Sequence, residues 1–203
     1  DAPRHLTAVD DACVLDTVKQ TITAAPPLPQ TMGQPTAHLL ADGRAVVIGH
    51  STACIYDPTS NTWAASIKLQ QAREAHCSVL LNDGRVLVVG GVGRDSFELI
   101  DIKAGSSQLL DVVLPNATDD LRALLMPDGR IWVLAGQNSK TGDTTDRTFI
   151  VEIAPVDAGQ TPPTHIHATI ADGPPLGVKD GVSDQCIGRI GPFVFALGGE
   201  SQQ

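Results

Sequence analysis

The residues able to do chemistry are gathered in a few short stretches. Arg73-Glu74-Ala75-His76 sets a carboxylate and an imidazole two residues apart, a spacing that puts both on one face of a strand. Asp119-Asp120-Leu121-Arg122 and Asp184-Gln185 add three carboxylates and a guanidinium. Imidazoles and carboxylates are the usual proton movers, so Glu74, His76 and Asp120 are the candidate acid/base group. Converging carboxylates repel one another unless a cation sits among them, so Asp119, Asp120 and Asp184 are candidate ligands for a calcium-like ion. No contiguous calcium-loop motif accompanies them. The plainer alternative is that these acids are solvated, or pair with Arg73, Arg94 and Arg122.

Other motifs are weaker. His165-Ile166-His167 has a spacing that zinc can use, yet no cysteine or clear third ligand lies nearby, which favours surface histidines. Ser139-Lys140-Thr141-Gly142-Asp143 lacks phosphate-loop spacing and reads as a loop. Asn116-Ala117-Thr118 matches a glycosylation acceptor, a triplet common by chance. No two of the four cysteines, Cys13, Cys54, Cys77 and Cys186, are expected to be adjacent within a repeat unit, and partners in different units are too distant for disulfides, so they are expected as buried free thiols.

Composition narrows the function classes. The 203-residue chain is 42% hydrophobic and 18% charged, which describes a globular domain. Aromatics are only 3%, so aliphatic side chains must fill the core. A formal net charge of −9 repels phosphate backbones and argues against nucleic-acid binding. It favours a cationic, neutral or metal-containing partner, or serves only solubility. No run of 18 or more apolar residues is present to span a membrane.

The elements that position these residues come from a repeat. Leu39-Leu40-Ala41-Asp42-Gly43-Arg44, Leu80-Leu81-Asn82-Asp83-Gly84-Arg85 and Leu125-Met126-Pro127-Asp128-Gly129-Arg130 each precede an apolar run ending in glycine or Gly-Gly, with Asp-Gly-Arg triplets 41 and 45 residues apart. Residues 187–199 form a degenerate fourth copy, with Gly191-Pro192 at the turn and Gly198-Gly199 at its end. Each copy reads as a β-hairpin whose Asp-Gly turn requires positive φ at both turn positions. A further strand pair follows each hairpin: Ala53-Cys54-Ile55-Tyr56-Asp57-Pro58 with Thr62-Trp63, then residues 97–101, then residues 149–152. Ala12-Cys13-Val14-Leu15-Asp16 parallels the first of these, so the chain opens on the outer half of a unit and closes on an inner half.

This arrangement predicts an all-β fold, a four-bladed β-propeller of four-stranded blades. The blades are 34–69, 73–114, 120–176, and 183–199 combined with 11–28, the last closing the ring by pairing the tail hairpin with the opening strands. Insertions are expected around 139–146 and 158–164.

The run His76-Cys77-Ser78-Val79-Leu80-Leu81-Asn82-Asp83-Gly84-Arg85-Val86-Leu87-Val88-Val89-Gly90-Gly91, with Ile55-Tyr56-Asp57-Pro58 and Thr62-Trp63, resembles the kelch repeat of galactose-oxidase-like propellers. The copper site of those oxidases needs tyrosine ligands, and Tyr56 is the single tyrosine, so no copper is expected. In a kelch-like propeller, loops leading into the first strand and loops after the Gly-Gly pair share one face around a central tunnel. The resemblance puts Gln34, Arg73, Glu74, His76, Asp119, Asp120, Arg122, Asp184 and Gln185 there, joined by His50, Arg94, Asn138, Glu200 and Ser201. The resulting expectation is a module binding a protein segment or small polar ligand. The alternatives are a lyase, hydrolase or cyclase with acid/base residues at the tunnel mouth, or an assembly unit.

Overall fold

A computed structural model describes residues 7–154, 166–178 and 180–201, and in these residues the only regular elements are strands. The opening hairpin is β1 (Cys13–Asp16) and β2 (Thr21–Ala24). A three-stranded sheet follows: β3 (Thr36–Leu39), β4 (Ala45–Asp57) and β5 (Thr62–Arg73). Next comes a four-stranded meander of β6 (Cys77–Leu80), β7 (Val86–Val89), β8 (Ser96–Asp101) and β9 (Ser106–Val113). The third sheet has five strands: β10 (Thr118–Asp119), β11 (Arg122–Leu125), β12 (Ile131–Asn138), β13 (Thr144–Ile153) and β14 (Ala168–Asp172). A hairpin of β15 (Cys186–Ile190) and β16 (Phe193–Leu197) closes the series. The first strands β3, β6, β11 and β15 neighbour one another in that order, and the outer strands β5, β9 and β14 do likewise, so the sheets stand side by side like blades.

Two expectations about the blades change. The second and third strands of the first blade run as the single element β4, which pairs with β3 over 45–48 and with β5 from His50 onward. The partner changes at His50, whose φ of 47° bends the strand. No ladder joins the tail hairpin to the opening strands among the described residues. Among the described residues β16 pairs only with β15, and β1 only with β2. Both hairpins stand exposed, with Leu15, Ile22, Phe193 and Leu197 open to solvent. Cys13 and Cys186 lie on them and are exposed, whereas Cys54 and Cys77 are buried; all four thiols are free. The insertion around 158–164 and His165 lie outside the described residues. His167 is exposed and meets the Asp111 carboxylate at 3.0 Å.

The core forms between blades, where alternate faces of the sheets are apolar. In β7, Val86 and Val88 pack with Val46, Ile48 and Ile55 of the first sheet. Leu87 and Val89 point the other way, into a cluster with Leu121, Ile131 and Val133 of the third sheet. All four side chains are fully buried, so β7 has no solvent face and reads as an unbroken apolar run.

The Asp-Gly-Arg triplets work differently from a two-residue turn. Only the glycines take positive φ, at 87°, 87° and 88° for Gly43, Gly84 and Gly129. Gly43 N–H donates to Leu40 O and Leu40 N–H to Arg44 O, a tight turn followed by a left-handed glycine. The aspartate acts through its side chain: Asp42 accepts from Arg44 N–H at 3.1 Å and pairs with the Arg44 guanidinium at 2.7 Å. Asp83–Arg85 and Asp128–Arg130 repeat this.

One polar cluster is enclosed between the first and second sheets. Arg73, at the end of β5, and Glu98, in β8, have side chains with no solvent exposure and approach to 3.4 Å. The guanidinium also donates to Gly90 O, Ser96 O and Ser96 Oγ at 2.8–2.9 Å. Arg73 is therefore an interior fastener between sheets, which corrects its expected place on the binding rim.

Arg73→Met leaves the Glu98 carboxylate buried without its cation and is expected to cost about 3–5 kcal/mol, read from urea unfolding midpoints. Thiol titration of the native protein is expected to show Cys13 and Cys186 reacting fast and Cys77 slow, because burial pushes the Cys77 thiol up to about 12.

Candidate functional site

The site begins with four corners in the backbone. Gln34, Ala75, Asp120 and Asp184 each stand two residues ahead of an innermost strand, and each adopts a left-handed φ between 48° and 57°. For non-glycine residues this conformation costs about 1–2 kcal/mol. Hydrogen bonds between neighbouring blades offset that cost: Asp120 N–H donates to Ala75 O at 3.0 Å and Asp184 N–H to Asp120 O at 3.1 Å. β6, β11 and β15 are thereby stitched together at the ends where the chain approaches them.

After three of the corners, Ala75, Asp120 and Asp184, the chain turns a side chain inward. Leu121 fills that place in the third sheet and is wholly buried. The equivalent residues are His76, 5% exposed, and Gln185, 1% exposed, so two blades carry a polar group where one carries leucine. Both Gln185 side-chain polar atoms and His76 Nδ1 are buried without partners among the described residues. Burial, reinforced by the Arg73 charge, holds the His76 pKa down to about 4.

The corners and the starts of β3, β6, β11 and β15 enclose a cleft of about 370 Å³. Gln34, Thr36, His76, Ser78, Asp120, Arg122 and Asp184 line it, with Ile187 as an apolar wall. Arg122 braces one side: Nε donates to Gln185 O at 2.8 Å, Nη1 to Leu121 O at 3.0 Å, and Nη2 meets Asp184 Oδ1 at 3.2 Å. The Asp120 carboxyl is held above its ordinary pKa, first by burial, then by the charges of Asp184 and Asp119, with Arg122 opposing.

Gln34, His76, Asp120, Arg122 and Asp184 thus meet in one cleft, while most of the other candidates go elsewhere. Glu74 is exposed and faces His50 at 3.5 Å. Arg94 donates to Ala72 O at 3.1 Å. Asp119 is buried in β10. Glu200 bridges Ser183 through its backbone. Asn138 uses its side-chain oxygen to hold the turn at Lys140 and Thr141, and lines a separate pocket between the second and third sheets with Leu114 and Phe149. No hydrogen bond joins Glu74, His76 and Asp120, so the expected acid/base group is not assembled among the described residues. Nor do Asp119, Asp120 and Asp184 make a metal-holding set, since no group of three or more His, Cys, Asp or Glu is placed to do so among the described residues.

Thr36, His38 and Ser78 were not singled out from the sequence. Their signal is a period of two: Thr36 and His38 on β3, and His76 and Ser78 leading into β6, put polar side chains on one face of otherwise apolar inner strands.

A histidine that is hard to protonate when folded, with an ordinary value of 6.5 when unfolded, makes the unfolded chain the better proton acceptor between those values. Its contribution is complete above 6.5 and is lost as pH falls toward about 4, by about 3 kcal/mol. His76→Leu, which installs the side chain found at the equivalent Leu121, is expected to lessen the loss of stability between about pH 7 and pH 4 by that amount. Urea midpoints at both pH values for the two proteins check this.

No protein-family model and no curated protein sequence matches the chain. Among solved structures, the chain is similar to one described as "Structure of YjhT", with a TM-score of 0.66 and 13% identity over 96% of this chain and 72% of that one. It is also similar to a fungal alcohol oxidase of the AA5 family solved in complex with copper, with a TM-score of 0.66 and 17% identity over 96% of this chain. The chain spans 44% of that oxidase. At these identities the likeness shows the fold alone: an all-β architecture of β-propeller type.

Proposed function

We propose that this chain is a kelch-like propeller module that binds a protein segment or a small polar ligand in the cleft at the approach ends of its innermost strands. One observation carries the reading. Three inner strands, β3, β6 and β11, and the corner ahead of β15 deliver polar side chains to a single cleft of about 370 Å³. That volume falls in the range of small-ligand pockets. The rigid sheets hold the cleft, and convergence of polar groups from several elements gives it orientation as well as affinity.

A binding role accounts for the partners of the polar groups better than catalysis does. Glu74 is engaged by His50 and Asp184 by Arg122, and His76, although 3.2 Å from the Thr36 hydroxyl, has no partner on Nδ1 among the described residues to orient it as a base. The carboxylates of Asp120 and Asp184 give the cleft an acidic side, consistent with the net charge of −9, and favour a neutral or basic occupant.

Peptide pools of equal length, one rich in lysine and arginine and one rich in aspartate and glutamate, provide the test by fluorescence anisotropy. The basic pool is expected to bind. The double variant Asp120→Asn, Asp184→Asn is expected to lower its affinity about ten-fold or more, while Lys19→Ala on the exposed opening hairpin leaves it unchanged. Equal binding by the double variant would place the contact elsewhere and overturn the assignment.

A further inference from the structure

A second hollow lies away from the cleft, between the connection from β9 to β10 and the hairpin of β12 and β13, and holds about 180 Å³. Its floor is apolar. Leu114, Leu121 and Val133 are 2% exposed or less and belong to the core cluster of the second and third sheets, and Phe149 packs against them. Such a floor gives water no hydrogen-bonding partner, and a cavity of about 150 Å³ lined by side chains of this kind accommodates benzene. The space suits one ring rather than a drug-sized molecule, for which pockets begin at about 300 Å³.

The polar groups of the wall are mostly committed within the protein. Thr118 Oγ1 donates to Asn116 O at 3.0 Å, and Thr144 Oγ1 to Asp180 O at 2.6 Å. Asn138 Oδ1 accepts from the Lys140 and Thr141 N–H groups. Arg147 is held twice, by the Asp172 carboxylate at 2.7 Å and over the Phe149 ring at 5.1 Å. Asp143 differs. It is exposed at the mouth, and among the described residues no ion pair or hydrogen bond engages its carboxylate. Arg147 is neutralised by Asp172, and Lys140, the other cation of the hairpin, lies outside the wall, so the mouth carries one uncompensated negative charge.

We propose that this hollow is a second binding site, separate from the cleft, for a single-ring compound bearing a short cationic arm. The ring rests on Leu114, Leu121, Val133 and Phe149, and the cation meets Asp143 at the mouth. Burial of the ring supplies most of the affinity. The exposed ion pair adds a smaller increment that selects the sign of the arm. The site uses neither Asp120 nor Asp184, so it stands independently of what the cleft takes.

Benzylamine, benzyl alcohol and benzoate share a ring and differ in charge, and they serve as probes of the full chain labelled with carbon-13 at its methyl groups. Nuclear Overhauser effects from the benzylamine ring to the Leu114, Leu121 and Val133 methyls are expected. Titration is expected to place benzylamine about two- to five-fold above benzyl alcohol, the range for an exposed ion pair, with benzoate the weakest. Asp143→Asn changes an exposed loop residue outside the core, and is expected to bring benzylamine level with benzyl alcohol while leaving the alcohol unchanged. Asp143→Glu keeps the preference, and the cleft variant Asp120→Asn, Asp184→Asn leaves all three affinities as they were. Absence of contacts to those three methyls, or contacts to Ala123 and Ile187 of the cleft in their place, would remove the ring seat. Benzoate binding as tightly as benzylamine, or an amine preference that survives Asp143→Asn, would overturn the selection by Asp143.

Discussion

The cleft depends on a backbone feature more than on any side chain. Four non-glycine corners hold a strained φ, and the bonds Ala75 O to Asp120 N–H and Asp120 O to Asp184 N–H make that strain worth keeping. Each corner starts an inner strand at a set angle, and three of them turn the next residue into the space between sheets. Were these corners relaxed, His76, Leu121 and Gln185 would lose their shared depth, and Asp120 and Asp184 would no longer face one cleft. The identity of the corner side chain is free, because the backbone does the joining. Two of the four are aspartates, which gives the cleft its acidic side.

The arrangement of blades was legible because it is local. Hairpins around Asp42-Gly43, Asp83-Gly84 and Asp128-Gly129, the apolar run of β7 and the outer strands all follow from neighbours in sequence. The turn type was misjudged where a side chain intervened: the aspartate caps the arginine amide, so only the glycine needs a left-handed φ. Pairing of the two end hairpins depended on distant segments meeting, which repeat spacing does not decide. The merging of two strands into β4 likewise depended on the bend at His50, a residue with no turn propensity to announce it.

For the site, the carboxylates and His76 stood out by chemical type, and the structure brings His76, Asp120, Arg122 and Asp184 together. Arg73 stood out for the same reason and was misplaced, because an arginine beside a glutamate in sequence gives no hint that its partner is Glu98, one sheet away. Thr36, Ser78 and His38 are ordinary residues whose importance comes from contact across two strands 40 residues apart, which no single segment displays.

The two ends of each inner strand are built under opposite rules. At the far end, the Asp-Gly-Arg turns are short, alike in three sheets, and internally neutral, since each aspartate cancels its own arginine. Such turns offer little for a partner to distinguish and little room for insertion. At the near end, the corner residues are of three kinds over four sheets, the charges are unbalanced, and the connecting segments vary in length. Diversification of this scaffold therefore has one permissive rim and one frozen rim, and new specificities would arise on the first without disturbing the second.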